Sequence, residues 1–115
     1  MFSYCLNLSE FDTDLPNLTD GSEMFCYCPN LTSFSSDLSS LTNGSNMFAD
    51  CSNLTSFTSD LSSLTDGTAM FNDTALTSFN GDLPSLTNGN LMFNGAELTS
   101  FNSDLSSLVY GSNMF

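Results

Sequence analysis

The side chains of this chain that could do chemistry are four cysteines and a regularly spaced set of aspartates. The aspartates recur once in each copy of a repeated sequence and form what we call the Asp column: Asp14, Asp37, Asp60, Asp82 and Asp104. Two unit charges about 5 Å apart repel by roughly 0.8 kcal/mol in water, and by more at a protein surface. No Lys or Arg is present to relieve this repulsion. Three interpretations stay open: carboxylates that cap backbone N–H groups, carboxylates that hold Ca²⁺ between them, and a solvated face.

Three cysteines form a second column at the same period, and Cys26 lies outside it. The Cys column consists of Cys5, Cys28 and Cys51, and it continues as Thr74 and Ala96. Zinc needs four converging ligands at short spacings, which a step as long as that from Cys28 to Cys51 does not supply. We therefore favour a column of buried free thiols that act as small apolar side chains. Two disulfides, or a metal, remain as the alternatives.

The composition excludes several classes of function. The chain has thirteen acidic residues, no Lys, Arg or His, and a formal net charge of -13. Nucleic acids and anionic membranes require cationic side chains, and a serine nucleophile requires a base. A glycosidase would need a unique pair of carboxylates, whereas each member of the Asp column has translational copies. We expect no enzyme activity, no nucleic-acid binding and no membrane insertion, which leaves cations or basic surfaces as charged partners.

A repeated sequence must position these columns. The dipeptide Met-Phe begins at positions 1, 24, 47, 70, 92 and 114, so the step is 23 for the first three intervals and 22 for the last two. The word Leu-x-x-Phe runs in phase with it, for example at residues 31–34 and 54–57. A fixed period in this range predicts a solenoid whose coils bury their apolar faces against each other. We expect one domain over residues 1–115 with about five coils.

Within one coil, two segments have a predicted conformation. Residues 54–57 favour a short strand that pairs in parallel with its copies, although the i, i+3 spacing of Leu54 and Phe57 would suit a helical turn equally well. Asp60 is placed to cap a short helical or 3₁₀ turn in which Leu61 and Leu64 share the inner face. Gly67 would end that turn in a left-handed conformation. The corresponding glycines form the Gly column: Gly21, Gly44, Gly67, Gly89 and Gly111.

The repeat resembles a known family. Its Leu-Thr-Ser-Phe, Leu-x-x-Leu and Met-Phe-x-x-Cys-x-x-Leu words are similar to the 23-residue leucine-rich repeat of BspA-like bacterial surface proteins, including a Met-Phe variant found in bacterial and phage-encoded proteins. The clearest match covers residues 31–53, although Ser35-Ser36-Asp37 stands where an apolar residue and Pro are usual. The resemblance implies a leucine-rich-repeat solenoid and an extracellular adhesive or interaction role.

Two hypotheses for the function stay open. One is a segment or subunit of a surface or virion fibre, located outside the cell. The other is a discrete adhesion module that binds a host-surface protein or a glycan, with Ca²⁺ as a potential cofactor. Tyr4, Tyr27 and Tyr110 would stack on sugars in the second hypothesis and are ordinary surface residues in the first.

The ends of the chain bear on the same choice. Met1-Phe2 and Met114-Phe115 both lie in register with the repeat, and neither is preceded or followed by a recognisable cap. We therefore expect either continuation into a longer chain or end-to-end self-association. Six Asn-x-Ser/Thr sequons make glycosylation a minor alternative.

Overall fold

Four short strands form two parallel pairs in the computed structural model, which describes all residues from 1 to 115. Strand β1 (Ser33–Phe34) pairs with β2 (Ser56–Phe57), and β3 (Ser78–Phe79) pairs with β4 (Ser100–Phe101). Each strand is the second half of a Leu-Thr-Ser-Phe word, and each Phe lies opposite the equivalent Phe of its partner. The prediction of short parallel strands is confirmed, although each strand covers only the second half of the predicted segment.

Neighbouring repeats are joined by two further bands of backbone hydrogen bonds. Each repeat is taken to begin at the Met of a Met-Phe dipeptide, which gives repeats 1–23, 24–46, 47–69, 70–91 and 92–113. In the Met-Phe band, Phe25 N–H donates to Met47 O at 2.9 Å, and this pattern recurs in every repeat. In the Asx-Gly band, Gly44 N–H donates to Asp66 O at 2.8 Å and also recurs. The repeats are therefore joined edge to edge in parallel register.

The core consists of side chains from the same columns. Phe48 stacks on Phe25 with ring centroids 5.4 Å apart and on Phe71 at 5.6 Å. Phe34 and Phe79 are buried and pack edge-on or tilted against this stack, whereas Phe57 is half-buried. Because the period places identical side chains above each other, one stacking geometry serves the whole core. Fully burying such a side chain contributes roughly 1.5–3 kcal/mol.

The predicted turn that begins at Asp60 is present, but a helix there is wrong, since the chain contains none. Between Asp60 and Gly67 there is one tight turn, in which Leu64 N–H donates to Leu61 O at 3.0 Å. The next residue, Thr65, donates its N–H to Thr42 O of the preceding repeat at 3.0 Å. The hydrogen bonds between repeats therefore take the donors that would have extended a helix. Consistently, no helix has the length and apolar character needed to cross a membrane.

The predicted left-handed conformation of the Gly column is also wrong. None of its members has a positive φ, and Gly95 is the one glycine that does, at 76°. In the interior of the column a side chain would meet the methionine that begins the repeat after next: a Cβ at Gly44 would lie 2.9 Å from Met70 Sδ. The positive φ angles fall on other residues, namely Tyr4, Glu23, Tyr27, Asn46, Asp50, Ala69, Asp73, Leu91 and Asn113.

Candidate functional site

The Asp column accepts hydrogen bonds from nearby backbone. A carboxylate in this position accepts the N–H of the residue two places later, which is an Asx turn. Three such bonds of 2.8 Å are formed, from Ser39 to Asp37, from Ser62 to Asp60 and from Ser106 to Asp104. Hydrogen bonds from the side chain and backbone of Ser39 hold the pKa of Asp37 below its usual value. The backbone and then the hydroxyl of Ser106 lower the pKa of Asp104 in the same way.

The other two members of the Asp column lack this bond because a proline follows. Asp14 and Asp82 both precede Leu-Pro, and neither Pro16 nor Pro84 has an N–H to donate. The Asp14 carboxylate instead accepts the backbone N–H of Asp37, in the next repeat, at 2.9 Å. Asp82 makes no side-chain hydrogen bond. The prolines therefore prevent the Asx turn at Asp14 and Asp82, whereas the other three members of the Asp column form it.

The geometry does not gather these carboxylates around one point. No group of three or more acidic or cysteine side chains lies close enough to hold a metal ion. Ca²⁺ takes six to eight oxygen ligands in protein sites. The Asp column therefore offers a cation one carboxylate at a time rather than a ligand set. The same finding applies to the thiols of the Cys column.

The Cys column packs in the hydrophobic core, beside the Met-Phe band. Cys28 and Cys51 are fully buried, whereas Cys5 and Cys26 are half-buried. The Cys28 thiol donates to Phe2 O at 3.0 Å, and the Cys51 thiol donates to Phe25 O at 3.2 Å. Burial raises the pKa of the Cys26 and Cys28 thiols, and it raises the pKa of Cys51 to about 12. Such thiols are poor nucleophiles at neutral pH because the thiolate is the reactive form.

A second set of capping side chains, which the sequence analysis did not single out as a site, precedes the Gly column. Asn43 Oδ1 accepts Ser45 N–H at 3.0 Å, and Asp66 Oδ1 accepts Thr68 N–H at 3.0 Å. In the last repeat Tyr110 takes this position and cannot accept such a bond. There, Ser112 N–H is accepted instead by the Asn90 side chain of the preceding repeat at 2.8 Å. The Asx-Gly dipeptides predict such a turn from the sequence, and they predict its loss at Tyr110.

The molecule also has one cleft, of about 340 Å³, formed by residues 55–59 and 78–81. It lies where β2 and β3 are adjacent but do not pair, a place we call the β2–β3 seam. Thr99 and Asn102 donate their N–H groups to the preceding repeat, whereas the equivalent Thr77 and Asn80 donate none. A glycine, Gly81, occupies the position that Ser59 holds one repeat earlier. Hydroxyl and amide groups line most of this cleft.

The exposed tyrosines and the sequon asparagines occupy different surroundings. Tyr4 and Tyr27 form a pair with ring centroids 5.3 Å apart and are 70% and 46% exposed. Asn53 donates its side-chain amide to Pro29 O at 2.6 Å, and Asn72 donates to Asn94 O at 2.6 Å. A glycan on either of these two amides would replace a hydrogen bond between repeats.

Comparison with protein-family models, with curated proteins and with solved structures finds no match to this chain. The resemblance to BspA-like repeats therefore stays an interpretation of the repeated words. What the chain does has to be argued from its own surfaces.

Proposed function

We propose that the chain is a leucine-rich-repeat-like solenoid with one coil per repeat, serving as a non-catalytic structural or adhesive element of a surface or virion fibre. Each repeat bonds to its neighbours through the same two bands and stacks the same phenylalanines. Contact restricted to neighbouring units is what defines a solenoid. The extracellular location and the affinity with BspA-like repeats are part of this proposal and rest on the repeated words.

The main support for end-to-end assembly is that the first and last repeats have unused backbone hydrogen-bonding groups that complement each other. In every interior repeat the carbonyl of the residue before the glycine accepts the glycine N–H of the preceding repeat, and the glycine N–H donates to the equivalent carbonyl of the following repeat, which belongs to Tyr110 in the last repeat and to an Asx residue in the others. Asp20 O, in the first repeat, accepts no backbone N–H, and Gly111 N–H, in the last, donates to no backbone carbonyl. Thr19 N–H and Val109 O form a second unused pair. A further coil, from the same chain or a second copy, would complete both pairs.

The apolar surfaces at the two ends match in the same way. Side chains that are buried in interior repeats are only partly buried in the outer ones, as for Phe2 and Phe11 at one end and Phe101 at the other. Phe115 is 62% exposed, although its equivalents Phe48 and Phe71 are fully buried. A head-to-tail contact between such faces does not close on itself and therefore builds filaments.

Charge opposes this contact and makes it depend on salt. The first repeat contains five acidic residues, Glu10, Asp12, Asp14, Asp20 and Glu23, and no basic residue balances them. At about 0.15 M ionic strength the Debye length is roughly 8 Å, which weakens repulsion between exposed charges. We expect association to increase with added salt, and Ca²⁺ to act through general screening because no three acidic side chains lie close enough to hold it together.

The test is the assembly state of the 115-residue polypeptide over a concentration series, at low and at moderate ionic strength, with and without Ca²⁺. Sedimentation velocity and negative-stain microscopy should show head-to-tail oligomers or filaments that grow with concentration and salt. A polypeptide that stays monomeric and folded under all these conditions would disprove the assembly.

A matched pair of variants separates the ends from the sides of the molecule. Phe115→Asp places a charge on the end face and should abolish association. Tyr27→Asp makes a similar change on the lateral surface, in a column where Asp50 and Asp73 already occur. It should associate like the unmodified chain. Equal loss in both variants would place the contact somewhere other than the ends.

The second candidate function is glycan binding by a discrete domain, and the observation that favours it is the exposed Tyr4–Tyr27 pair. Two aromatic rings side by side offer an apolar face of the kind on which sugar rings stack. In this candidate Tyr27→Asp would abolish retention on immobilised glycans, whereas Phe115→Asp would not. The same two variants therefore distinguish the two functions.

A further inference from the structure

The four Asn-Gly dipeptides of this chain lie in different surroundings. They are Asn43-Gly44, Asn80-Gly81, Asn88-Gly89 and Asn94-Gly95. Asn-Gly is the dipeptide in which the backbone nitrogen of the second residue most readily attacks the side-chain amide of the first, because glycine has no side chain to obstruct the attack. Attack requires that this N–H and the asparagine side chain be free of other bonds.

In two of these dipeptides, hydrogen bonds restrain both reacting groups, the glycine N–H and the asparagine side chain. Gly44 N–H donates to Asp66 O at 2.8 Å, and Gly89 N–H donates to Tyr110 O at 2.7 Å. The preceding asparagines are held too, since Asn43 Oδ1 accepts at 3.0 Å and Asn88 Oδ1 accepts at 3.2 Å. Both glycines are buried. Reaction at these two sites therefore requires that the Asx-Gly band open first.

Asn80-Gly81 lies in the β2–β3 seam and is held by none of these bonds. Neither Asn80 nor Gly81 donates or accepts a backbone hydrogen bond, and the Asn80 side chain also lacks a partner. Asn80 is exposed, and both residues border the cleft. In Asn94-Gly95 the glycine N–H and the asparagine side chain are also unbonded, and Gly95 is exposed. This site is intermediate because the Asn94 carbonyl accepts two bonds, from Asp73 N–H at 2.9 Å and from the Asn72 amide at 2.6 Å, which restrict the backbone rotation that brings the Gly95 nitrogen to Cγ.

We propose that Asn80 is a site of spontaneous backbone modification that converts it to a mixture of aspartate and isoaspartate in the folded protein. Hydroxide or water removes the Gly81 amide proton, and the nitrogen forms a bond to Cγ of Asn80. The bond from Cγ to the side-chain nitrogen breaks, and ammonia leaves. Water then opens the resulting succinimide at either carbonyl, which gives the two acids without any oxidation or reduction.

The modification would occur at the β2–β3 seam, where the strands of two adjacent repeats do not pair. Isoaspartate lengthens the backbone by one carbon, and at the seam it interrupts no existing strand pairing. The product adds a carboxylate two residues before Asp82, and because Asn80 and Asp82 are both exposed, solvent and salt weaken their repulsion. We therefore expect the folded protein to tolerate the change, so that modified chains accumulate rather than unfold.

The experiment measures the reaction at each Asn-Gly dipeptide in one sample. Folded protein is incubated at mildly alkaline pH and then digested with pepsin in acid, which halts the reaction; trypsin is unsuitable because the chain has no Lys or Arg. Mass spectrometry gives the amide-to-acid conversion and the isoaspartate fraction of each peptide. An identical incubation in urea gives the unprotected rate at each site.

In the folded protein Asn80 should react at nearly its unfolded rate, and Asn94 should react more slowly. Asn43 and Asn88 should be at least about tenfold slower than in urea, because a reaction that requires local opening slows about tenfold for every ~1.4 kcal/mol of opening free energy. Protection of Asn80 equal to that of Asn43 would overturn the proposal.

A variant tests the route. Gly81→Ser restores the residue found at the equivalent Ser59 and hinders the attacking nitrogen. It should suppress conversion at Asn80 and leave the rate at Asn94 unchanged. Unchanged conversion at Asn80, or conversion without isoaspartate, would indicate direct hydrolysis of the amide and would refute the succinimide route.

Discussion

The first three repeats and the last two follow one plan but differ in length by a single residue, and the strand pairing shows the same division. Seven positions separate Met47 from Leu54, whereas six separate Met70 from Leu76. Strands β1 and β2 both come from the longer repeats and pair, and β3 and β4 both come from the shorter repeats and pair. Strands β2 and β3 come from one of each and do not pair. All four strands end the same Leu-Thr-Ser-Phe word, so the pairing divides with the length of the segment from the Met-Phe dipeptide to that word, which we call the approach to the strand.

In the last two repeats, the segment from the Met-Phe dipeptide to the strand is one residue shorter, and it lacks an asparagine that forms a hydrogen bond to the preceding repeat in the longer segment. Asn30 donates its amide to Leu6 O, and Asn53 donates to Pro29 O. In the shorter repeats Ala75 and Glu97 occupy the position before the leucine, and no equivalent bond forms. The Met-Phe and Asx-Gly bands continue across the seam regardless, since both lie outside the shortened segment. The two groups of repeats are therefore one stack with a local mismatch on one face.

The largest expected effect tests whether the two groups unfold together. Phe71 is fully buried at the seam and contacts Phe48, Phe57 and Phe93 at centroid distances of 5.6, 4.8 and 5.4 Å. Phe71→Ala should lower the free energy of unfolding by about 3–5 kcal/mol, because it removes these contacts and leaves a cavity. Urea denaturation should still show one transition, with Phe115→Ala causing a much smaller loss. Two separated transitions would show that the seam divides the stack into independent units.

A smaller effect tests the cause of the seam. Deleting Asn53 gives the repeat that begins at Met47 the shorter approach, so the mismatch should move to the junction between β1 and β2. Amide hydrogen exchange should then slow at Thr77 and Asn80 and accelerate at Thr55 and Thr58. The stability cost should be about 1 kcal/mol, the usual contribution of one hydrogen bond.

Deleting Ser52 serves as the control for that change, because it shortens the same segment and retains the asparagine. The same shift of protection in both deletions assigns the pairing to length. Fast exchange that persists at Thr77 and Asn80 in both would instead implicate a local feature of the seam, such as Gly81.

Much of this organisation could be predicted from the sequence, and the failures have identifiable causes. The parallel strands followed from the Leu-Thr-Ser-Phe word because its copies recur at one period. The helical turn at Asp60 failed because local propensity ignores the N–H of Thr65, which bonds to the preceding repeat. The glycine conformation failed because the Gly44 position is required by the sulfur of Met70, a contact between repeats that local turn rules do not contain.

The candidate sites, like the fold, could be predicted from the sequence only in part. The spacing of the Asp column was evident, but the loss of the turn bond at Asp14 and Asp82 depends on the proline two residues later. The loss of one residue from the period in the last two repeats was also visible. Its consequence for pairing could not be derived without knowing that the missing residue lies in the approach to the strand rather than in the strand.

The cysteine column gives the two groups of repeats different responses to alkaline pH. In the shorter repeats Thr74 and Ala96 take its place, and neither titrates. The pKa of Cys51 is about 12 in the folded chain, against an ordinary value of 9.0. As the pH rises, the Cys51 thiol therefore loses its proton in the unfolded chain before it does so in the folded chain. The contribution of the neutral thiol to the free energy of unfolding is complete below about pH 9 and is lost as the pH rises toward 12. The free energy of unfolding falls by at most about 1.4 kcal/mol per pH unit from this cause. Cys51→Ala should reduce this slope in urea denaturation from about pH 8 to about pH 10.5, whereas an unchanged slope would mean that Cys51 does not cause it.

The smallest expected effect concerns charge, which is also unequally distributed, since nine of the thirteen acidic residues lie in the first three repeats. Glu23 is exposed, lies in the acidic first repeat, and has a φ of 56°, a left-handed conformation that asparagine tolerates better. Glu23→Asn should therefore raise the free energy of unfolding by about 0.5–1 kcal/mol through reduced backbone strain and reduced repulsion.

Glu10→Asn removes an exposed charge from the same repeat at an ordinary φ, so it measures the charge contribution alone. Adding salt should diminish the gain from Glu10→Asn but leave most of the gain from Glu23→Asn, because screening weakens charge repulsion and does not alter backbone strain. Equal gains in the two variants would assign the whole effect to charge and none to the left-handed position.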